Sequence, residues 1–213
     1  LLLLLALTQL LMPIFAIQAQ ASPANLKKEH FSFTHVLPNE VEALGYINAI
    51  EMDQEGFIWF ASNNGLARFD GHQLLTFKHV ANTANSLASN LVNDLLVDSQ
   101  GQLWVATEAG LNLFNPESNS FSLYTVPEKY RVNADFNALR TLHEDATQQL
   151  WLGSSAGLLR FDHEKQKLIP LMLSLPNDHT ASQLAISDIS TDNKNNLWLA
   201  TLAHGLVKVS HYT

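Results

Sequence analysis

The sequence predicts an all-β fold built from four copies of one four-stranded unit, and three observations carry that prediction. The stretch from Asp98 to Phe114, D-S-Q-G-Q-L-W-V-A-T-E-A-G-L-N-L-F, recurs with variations from Asp53, Asp145 and Asp192. The four tryptophans of the chain, Trp59, Trp104, Trp151 and Trp198, each stand six residues after one of these aspartates, at intervals of 45, 47 and 47 residues. Each tryptophan lies in a short apolar run bounded by turn residues, the pattern of a strand buried on both faces. A scarce residue returning at near-constant period marks a repeat architecture. Four antiparallel strands in roughly 40–50 residues make one blade of a β-propeller, whose sheets are sandwiched between neighbours.

Within each repeat the elements follow in order. The first strand carries apolar residues three apart: Ile47 and Ile50, Val92 and Leu95, Leu139 and Leu142, Ile186 and Ile189. Under strict alternation such residues face opposite sides, so both faces of this strand are expected to be covered. A turn opened by Asp53, Asp98, Asp145 or Asp192 follows, since Asp accepts hydrogen bonds from nearby backbone N–H groups. Gly56 and Gly101 suit a positive φ in that turn and Asn195 tolerates it, whereas Gln148 is a poor match, so the third turn is expected to differ. The second strand holds the tryptophan, expected to fill the gap between blades. A polar loop then leads to Gly65, Gly110, Gly157 or Gly205 and the third strand. A weaker fourth strand runs over Leu74 to Lys78, Phe121 to Tyr124 and Lys167 to Ile169. In the fourth copy Trp198 to Gly205 is seven residues rather than six, which puts an insertion at His204.

Residues 1–21 read as the end of a secretory signal peptide: an apolar run from Leu1 to Ile17, then the small-x-small pattern Ala19-Gln20-Ala21. A permanent anchor fits less well, because the run falls short of the ~20 residues a span needs and contains Gln9 and Pro13. Residues 22–30 read as a linker and 31–213 as a partial propeller, with repeats at 46–79, 91–124, 138–169 and 185–213. Phe31 to Val36 alternates like a fourth strand and could close a ring. Both ends look cut, so the expectation is the front of a larger ring of about seven blades.

Composition excludes several classes. The chain has no cysteine, which removes disulfides, thiolate metal sites and cysteine nucleophiles. A formal charge of −8 without basic clusters argues against nucleic acid or anionic lipid as a partner. None of the nucleophile, P-loop or dinucleotide motifs is present. His72, His143, His163, His179 and His204 share no ligand spacing, so no metal and no cofactor are expected. Candidate ligand-binding residues are instead the polar ones between second and third strands, which blade geometry would bring to one rim: Asn63, Asn64, Glu108, Ser154, Ser155 and His204. The long polar connections Ala81 to Asn90, Val126 to Asn137 and Leu173 to Gln183 are candidate functional surface as well.

The pattern V-x-x-[IL]-x-x-D-x-x-G-x-[IL]-W-[FVL]-[AG]-[ST]-x-x-G-L resembles the two-component regulator propeller repeat, most closely over residues 46–79 and 91–124. The resemblance covers the chain from Phe31 onward. It implies a periplasmic, non-catalytic sensor region of a membrane-bound signalling protein whose missing downstream segments cross the membrane. The output would be a histidine kinase or a diguanylate cyclase, and the full-length protein could be a homodimer. The ligand is implied to be small and polar, an oligosaccharide in some members. Two alternatives stand beside this. Trp104-Val105-Ala106-Thr107-Glu108 is similar to the W-F-T-E of virginiamycin-type lyases, which are propeller enzymes, although no matching histidine set is found. A propeller that docks other proteins shares the same fold.

Overall fold

The computed structural model describes residues 32–35, 41–130, 136–171, 173 and 184–210. The chain divides into two compact units, Leu1–Thr34 and His35–Thr213. Residues 1–21 and 22–30, read as signal peptide and linker, lie outside the described residues. In the first unit Ser32, Phe33 and Thr34 carry no regular structure, and Phe33 is 92% exposed. No strand is formed at Ser32 to His35, within the 31–36 stretch that could close a ring. Phe31 and Val36 lie outside the described residues.

The second unit is an array of antiparallel sheets in chain order. Blade 1 contains β1 (Ile47–Met52), β2 (Ile58–Ser62), β3 (Gly65–Phe69) and β4 (Leu74–Phe77). Blade 2 contains β5 (Val92–Val97), β6 (Leu103–Thr107), β7 (Gly110–Asn115) and β8 (Ser120–Tyr124). Blade 3 contains β9 (Leu139–Glu144), β10 (Leu150–Ser154), β11 (Leu158–Asp162) and β12 (Lys167–Leu171). Blade 4 shows three strands among the described residues, β13 (Ile186–Thr191), β14 (Leu197–Thr201) and β15 (Gly205–Val209). Each sheet pairs its strands in sequence order, as a propeller blade does.

The core lies between blades. Trp59 and Ala61 of blade 1 share one buried cluster with Val92, Leu95 and Phe114 of blade 2. Trp104 and Ala106 of blade 2 meet Leu139, Leu142 and Phe161 of blade 3, and Trp151 of blade 3 meets Ile186 and Ile189 of blade 4. Trp59, Trp104 and Trp151 are 1%, 2% and 3% exposed, so the expected wedge role holds at all three boundaries. The small residue after the second-strand core explains itself in the same terms. A Cβ on Gly153 would stand 2.7 Å from Ile186 Cγ2, so this position faces the first strand of the next blade. On blade 1, where the described residues offer no preceding blade, Ile50 and Met52 are 63% and 64% exposed.

The repeated aspartate does more than open a turn. Its Oδ1 accepts the backbone N–H of the residues two and four further on: Glu55 and Phe57, Gln100 and Gln102, Thr147 and Gln149, Lys194 and Asn196. Its Oδ2 accepts the indole N–H of the tryptophan at 2.7, 2.8, 2.8 and 3.1 Å in blades 1 to 4. One carboxylate thus fixes the turn and orients the wedge. Burial works to raise the pKa of Asp145, but bonds from Thr147, Trp151 and Gln149 outweigh it and hold the carboxyl below its usual range. In Asp192 the bonds from Asn196 come first and hold it well below.

Two expectations need correction. The third turn does not differ: Gln148 takes φ +64°, beside +88° for Gly56, +82° for Gly101 and +57° for Asn195. The aspartate's two backbone bonds impose the left-handed conformation whatever side chain stands there. The second correction concerns the first strands. Ile47 pairs with Ser62 and Ile50 with Phe60, two residues apart on the partner strand, so both point to one face. A β-bulge in each first strand inserts the extra residue. Val92 and Leu95 accordingly share one cluster, as do Leu139 and Leu142.

The first inter-blade connection is tied down rather than free. Leu87 is buried in the cluster between blades 1 and 2, its carbonyl lies 2.8 Å from His79 Nδ1, and Ala88 N–H donates to the buried Asn112. Much of the other two connections lies outside the described residues.

Candidate functional site

The bulge in each first strand decides which side chain is left over. The residues skipped by the ladder are Asn48, Asn93, Arg140 and Ser187. Freed from cross-strand pairing, such a residue can be aimed away from the sheet. In all four blades the first residue of the loop after the second strand is tethered beside it. Asn63 N–H donates to the Tyr46 carbonyl, Glu108 to Leu91, Ser155 to Ala138 and Leu202 to Ala185, at 3.1, 3.2, 3.0 and 3.0 Å. Side chains meet as a result. Asn48 Nδ2 donates to Asn63 Oδ1 at 2.9 Å, Asn93 Nδ2 to Glu108 Oε1 at 3.0 Å, and Arg140 Nε to Ser155 Oγ at 3.0 Å.

These pairs form one continuous rim, because the same amides bridge blades. Asn48 Nδ2 also donates to the Val92 carbonyl on blade 2, at 2.7 Å, and Asn93 Nδ2 to the Leu139 carbonyl on blade 3, at 2.6 Å. The rim therefore runs Asn48/Asn63, Asn93/Glu108, Arg140/Ser155 over three blades. Its scaffold repeats while its chemistry changes from neutral to acidic to basic. Such an arc can offer donors, acceptors and two opposite charges to a polar ligand lying across several blades.

Asn63, Glu108 and Ser155 thus stand on this rim, and the structure brings them together with three partners that alternation alone hides. Asn64 and Ser154 do not join them. Asn64 donates to the Ala43 carbonyl and accepts from Lys78 Nζ, which holds the leading segment of the unit. Ser154 is fully buried: its Oγ donates to the Gly157 carbonyl and accepts the N–H groups of Ala156 and Gly157. Ser62, Thr107 and Thr201 make the same bond to Gly65, Gly110 and Gly205, so this hydroxyl closes the loop and faces no ligand. His204 lies in the longer fourth loop, where its N–H donates to Thr201 Oγ1. The missed residues carried one signal, the three-residue apolar spacing that marks a bulge when it recurs in every copy.

A second set of groups lies deeper along the first strands. Asp94 accepts Leu142 N–H of blade 3 through Oδ2 at 2.7 Å and Leu95 N–H through Oδ1 at 2.9 Å. Burial pushes its carboxyl above the usual range, and the charge of Asp188 on blade 4 adds to that rise. His143 on β9 contacts Thr191 Oγ1 on β13 at 3.0 Å, and burial lowers its pKa. Among the described residues no group of three or more His, Cys, Asp or Glu could hold a metal ion. No helix among them is long and apolar enough to cross a membrane.

Fold and rim together define a β-propeller with a polar arc on its first-strand bulges. Residues 86–109, which include Asn93, Asp98, Trp104 and Glu108, match the profile of the two component regulator propeller. A catalytically inactive virginiamycin B lyase from Staphylococcus aureus is similar in structure, with TM-score 0.57 and 14% identity over 78% of this chain and 53% of that one. The WD40 propeller domain of Doa1 is similar with TM-score 0.56 and 13% identity, over 78% of this chain and 51% of that one. These two likenesses establish the propeller fold. The extracellular domain of a hybrid two component system from B. thetaiotaomicron aligns with 19% identity and TM-score 0.38, over 80% of this chain and 35% of that one. The chain spans between about a third and a half of the length of these structures. No curated protein matches it.

Proposed function

We propose that this propeller is the ligand-sensing module of a membrane-bound signal-transduction protein, placed on the periplasmic side and non-catalytic in itself. One observation carries the reading. Three consecutive blades present a side-chain pair at the same bulge and loop positions, and bridging amides join the pairs into one rim. A surface with a constant frame and variable polar chemistry suits recognition better than turnover, which needs a nucleophile or acid–base pair converging on one atom. The two component regulator propeller repeat at residues 86–109 supports the signalling context. The reading of residues 1–21 as an export signal supports the compartment. The ligand is small and polar, and the kinase or cyclase output would lie in a different part of the protein.

Calorimetric titration of the protein with a library of sugars, sugar acids and amino acids tests this. Binding of a library member that Asn93→Ala and Asn48→Ala each weaken about tenfold, with the native circular dichroism spectrum retained and a lowered melting temperature from the lost inter-blade bond, is the expected result. A ligand whose binding ignores both substitutions would place recognition elsewhere and sink the rim as its site.

A further inference from the structure

The rim's two charges are held close to one bridging amide without being spent on each other. Asn93 Nδ2 donates both to Glu108 Oε1 and to the carbonyl of Leu139, the residue directly before Arg140. Glu108 and Arg140 therefore flank one amide on adjacent blades. No ion pair joins them, and Arg140 pairs with no other carboxylate among the described residues. Among the described residues Arg140 makes one side-chain bond, from Nε to Ser155 Oγ, and its Nη groups meet no acceptor. Glu108 accepts from Asn93 through Oε1, and Oε2 meets no donor among the described residues.

The geometry of a guanidinium gives this arrangement a meaning. Its five N–H groups form a planar fork. Fixing Nε on Ser155 sets the plane and leaves the two Nη groups side by side at the exposed tip. Two parallel donors at that spacing match the two oxygens of a carboxylate, and such bidentate pairs are the strongest hydrogen bonds a surface side chain makes. Of the bulge residues only Arg140 is charged; Asn48, Asn93 and Ser187 are neutral. The free oxygen of Glu108 asks for the complement, an O–H or N–H donor a short way along the same ligand.

We propose that the ligand of the rim is a small organic acid whose carboxylate sits on the Nη groups of Arg140 while a neighbouring hydroxyl or amino group donates to Glu108. This deepens the ligand-sensing reading and rests on it. Two sources share the chemistry, a sugar acid with hydroxyl donors and an amino acid with an ammonium donor. Ser155 and Asn93 act as positioning residues, one for the guanidinium plane and the other for the Glu108 carboxylate.

The test compares acids with partners of similar shape that are uncharged at the carboxylate position and are called neutral for that position alone. D-Glucuronate is titrated against D-glucose, and L-serine against L-serinamide, by calorimetry on the protein at low salt. In one pair the acid should bind about tenfold or more tightly than its neutral partner. Arg140→Gln should abolish that preference without moving the melting temperature, and Arg140→Lys should restore part of it. The pair in which the preference is seen tells which source the ligand comes from. Equal binding of acid and neutral partner, unaffected by Arg140→Gln yet weakened by Asn93→Ala, overturns the carboxylate assignment and leaves the rim as a recognition surface. Failure of both acids to bind also overturns it, while the wider library judges the rim separately.

Discussion

Asp94 accepts the backbone N–H of Leu142 at 2.7 Å across the boundary between blades 2 and 3. Its carboxyl is pushed above the usual range, chiefly by burial. A raised folded-state pKa means that the protonated form suits the fold. Its contribution is full below the unfolded value of about 3.9 and is lost as pH rises through the folded value. Asp94→Asn mimics the protonated form at every pH. The difference in urea midpoint between the natural protein and this variant should therefore shift in the variant's favour as pH rises from about 4 to 8. Parallel curves would show that the buried carboxylate costs nothing when ionised.

Trp104 tests the wedge. Trp104→Ala removes a side chain only 2% exposed and should destabilise by about 3–5 kcal/mol in chemical denaturation. Trp104→Phe keeps the apolar bulk but leaves Asp98 Oδ2 without its indole donor, and should cost about 1–3 kcal/mol. A loss below about 1 kcal/mol for the alanine variant would mean the indole is not a structural wedge.

Glycines at different turns should answer differently to alanine. At Gly65, φ +117°, a Cβ would stand 2.6 Å from the Phe77 carbonyl oxygen, so Gly65→Ala combines strain with a backbone clash and should cost roughly 3 kcal/mol or more. At Gly71, φ +97°, a Cβ meets nothing within 4 Å, and Gly71→Ala should cost about 1–2 kcal/mol. Equal losses in thermal denaturation would refute the difference.

Ser154 and Ser155 are adjacent yet should separate cleanly. Ser154→Ala leaves two N–H groups and the Gly157 carbonyl without their buried hydroxyl, a loss of about 1–3 kcal/mol with no change in ligand affinity once folded. Ser155→Ala should leave the melting temperature nearly unchanged and weaken binding of the rim ligand by freeing the Arg140 plane. The reverse pattern would return Ser154 to the ligand face.

Much of the fold was legible because its marks are scarce residues at fixed intervals. Tryptophan cannot recur at 45 to 47 residues by accident in a chain holding four, and the burial of Trp59, Trp104 and Trp151 follows from their place between apolar strands. Gln148 departs from its residue preference because Asp145 accepts the backbone N–H groups on either side of it. Half of the rim was hidden for a different reason. Strict alternation assigns Ile47 and Ile50 to opposite faces, and a bulge cancels that rule without any distinctive residue of its own. Asn48, Asn93 and Arg140 hence look like ordinary exposed strand residues until the register is known. Ser154 and Ser155 look alike in sequence because a hydroxyl in a polar loop reads the same whether it closes the loop or faces a ligand.

Asn48 and Asn93 reach their neighbouring blades through main-chain carbonyls, a group every amino acid possesses. The stitching is blind to what the next module is made of. The polar stitch is thus the transferable part of each seam, and the packed tryptophan is the part fitted to its own neighbour. A duplicated or deleted repeat would keep these polar stitches, and the rim can change what it recognises at its paired loop residues without losing them.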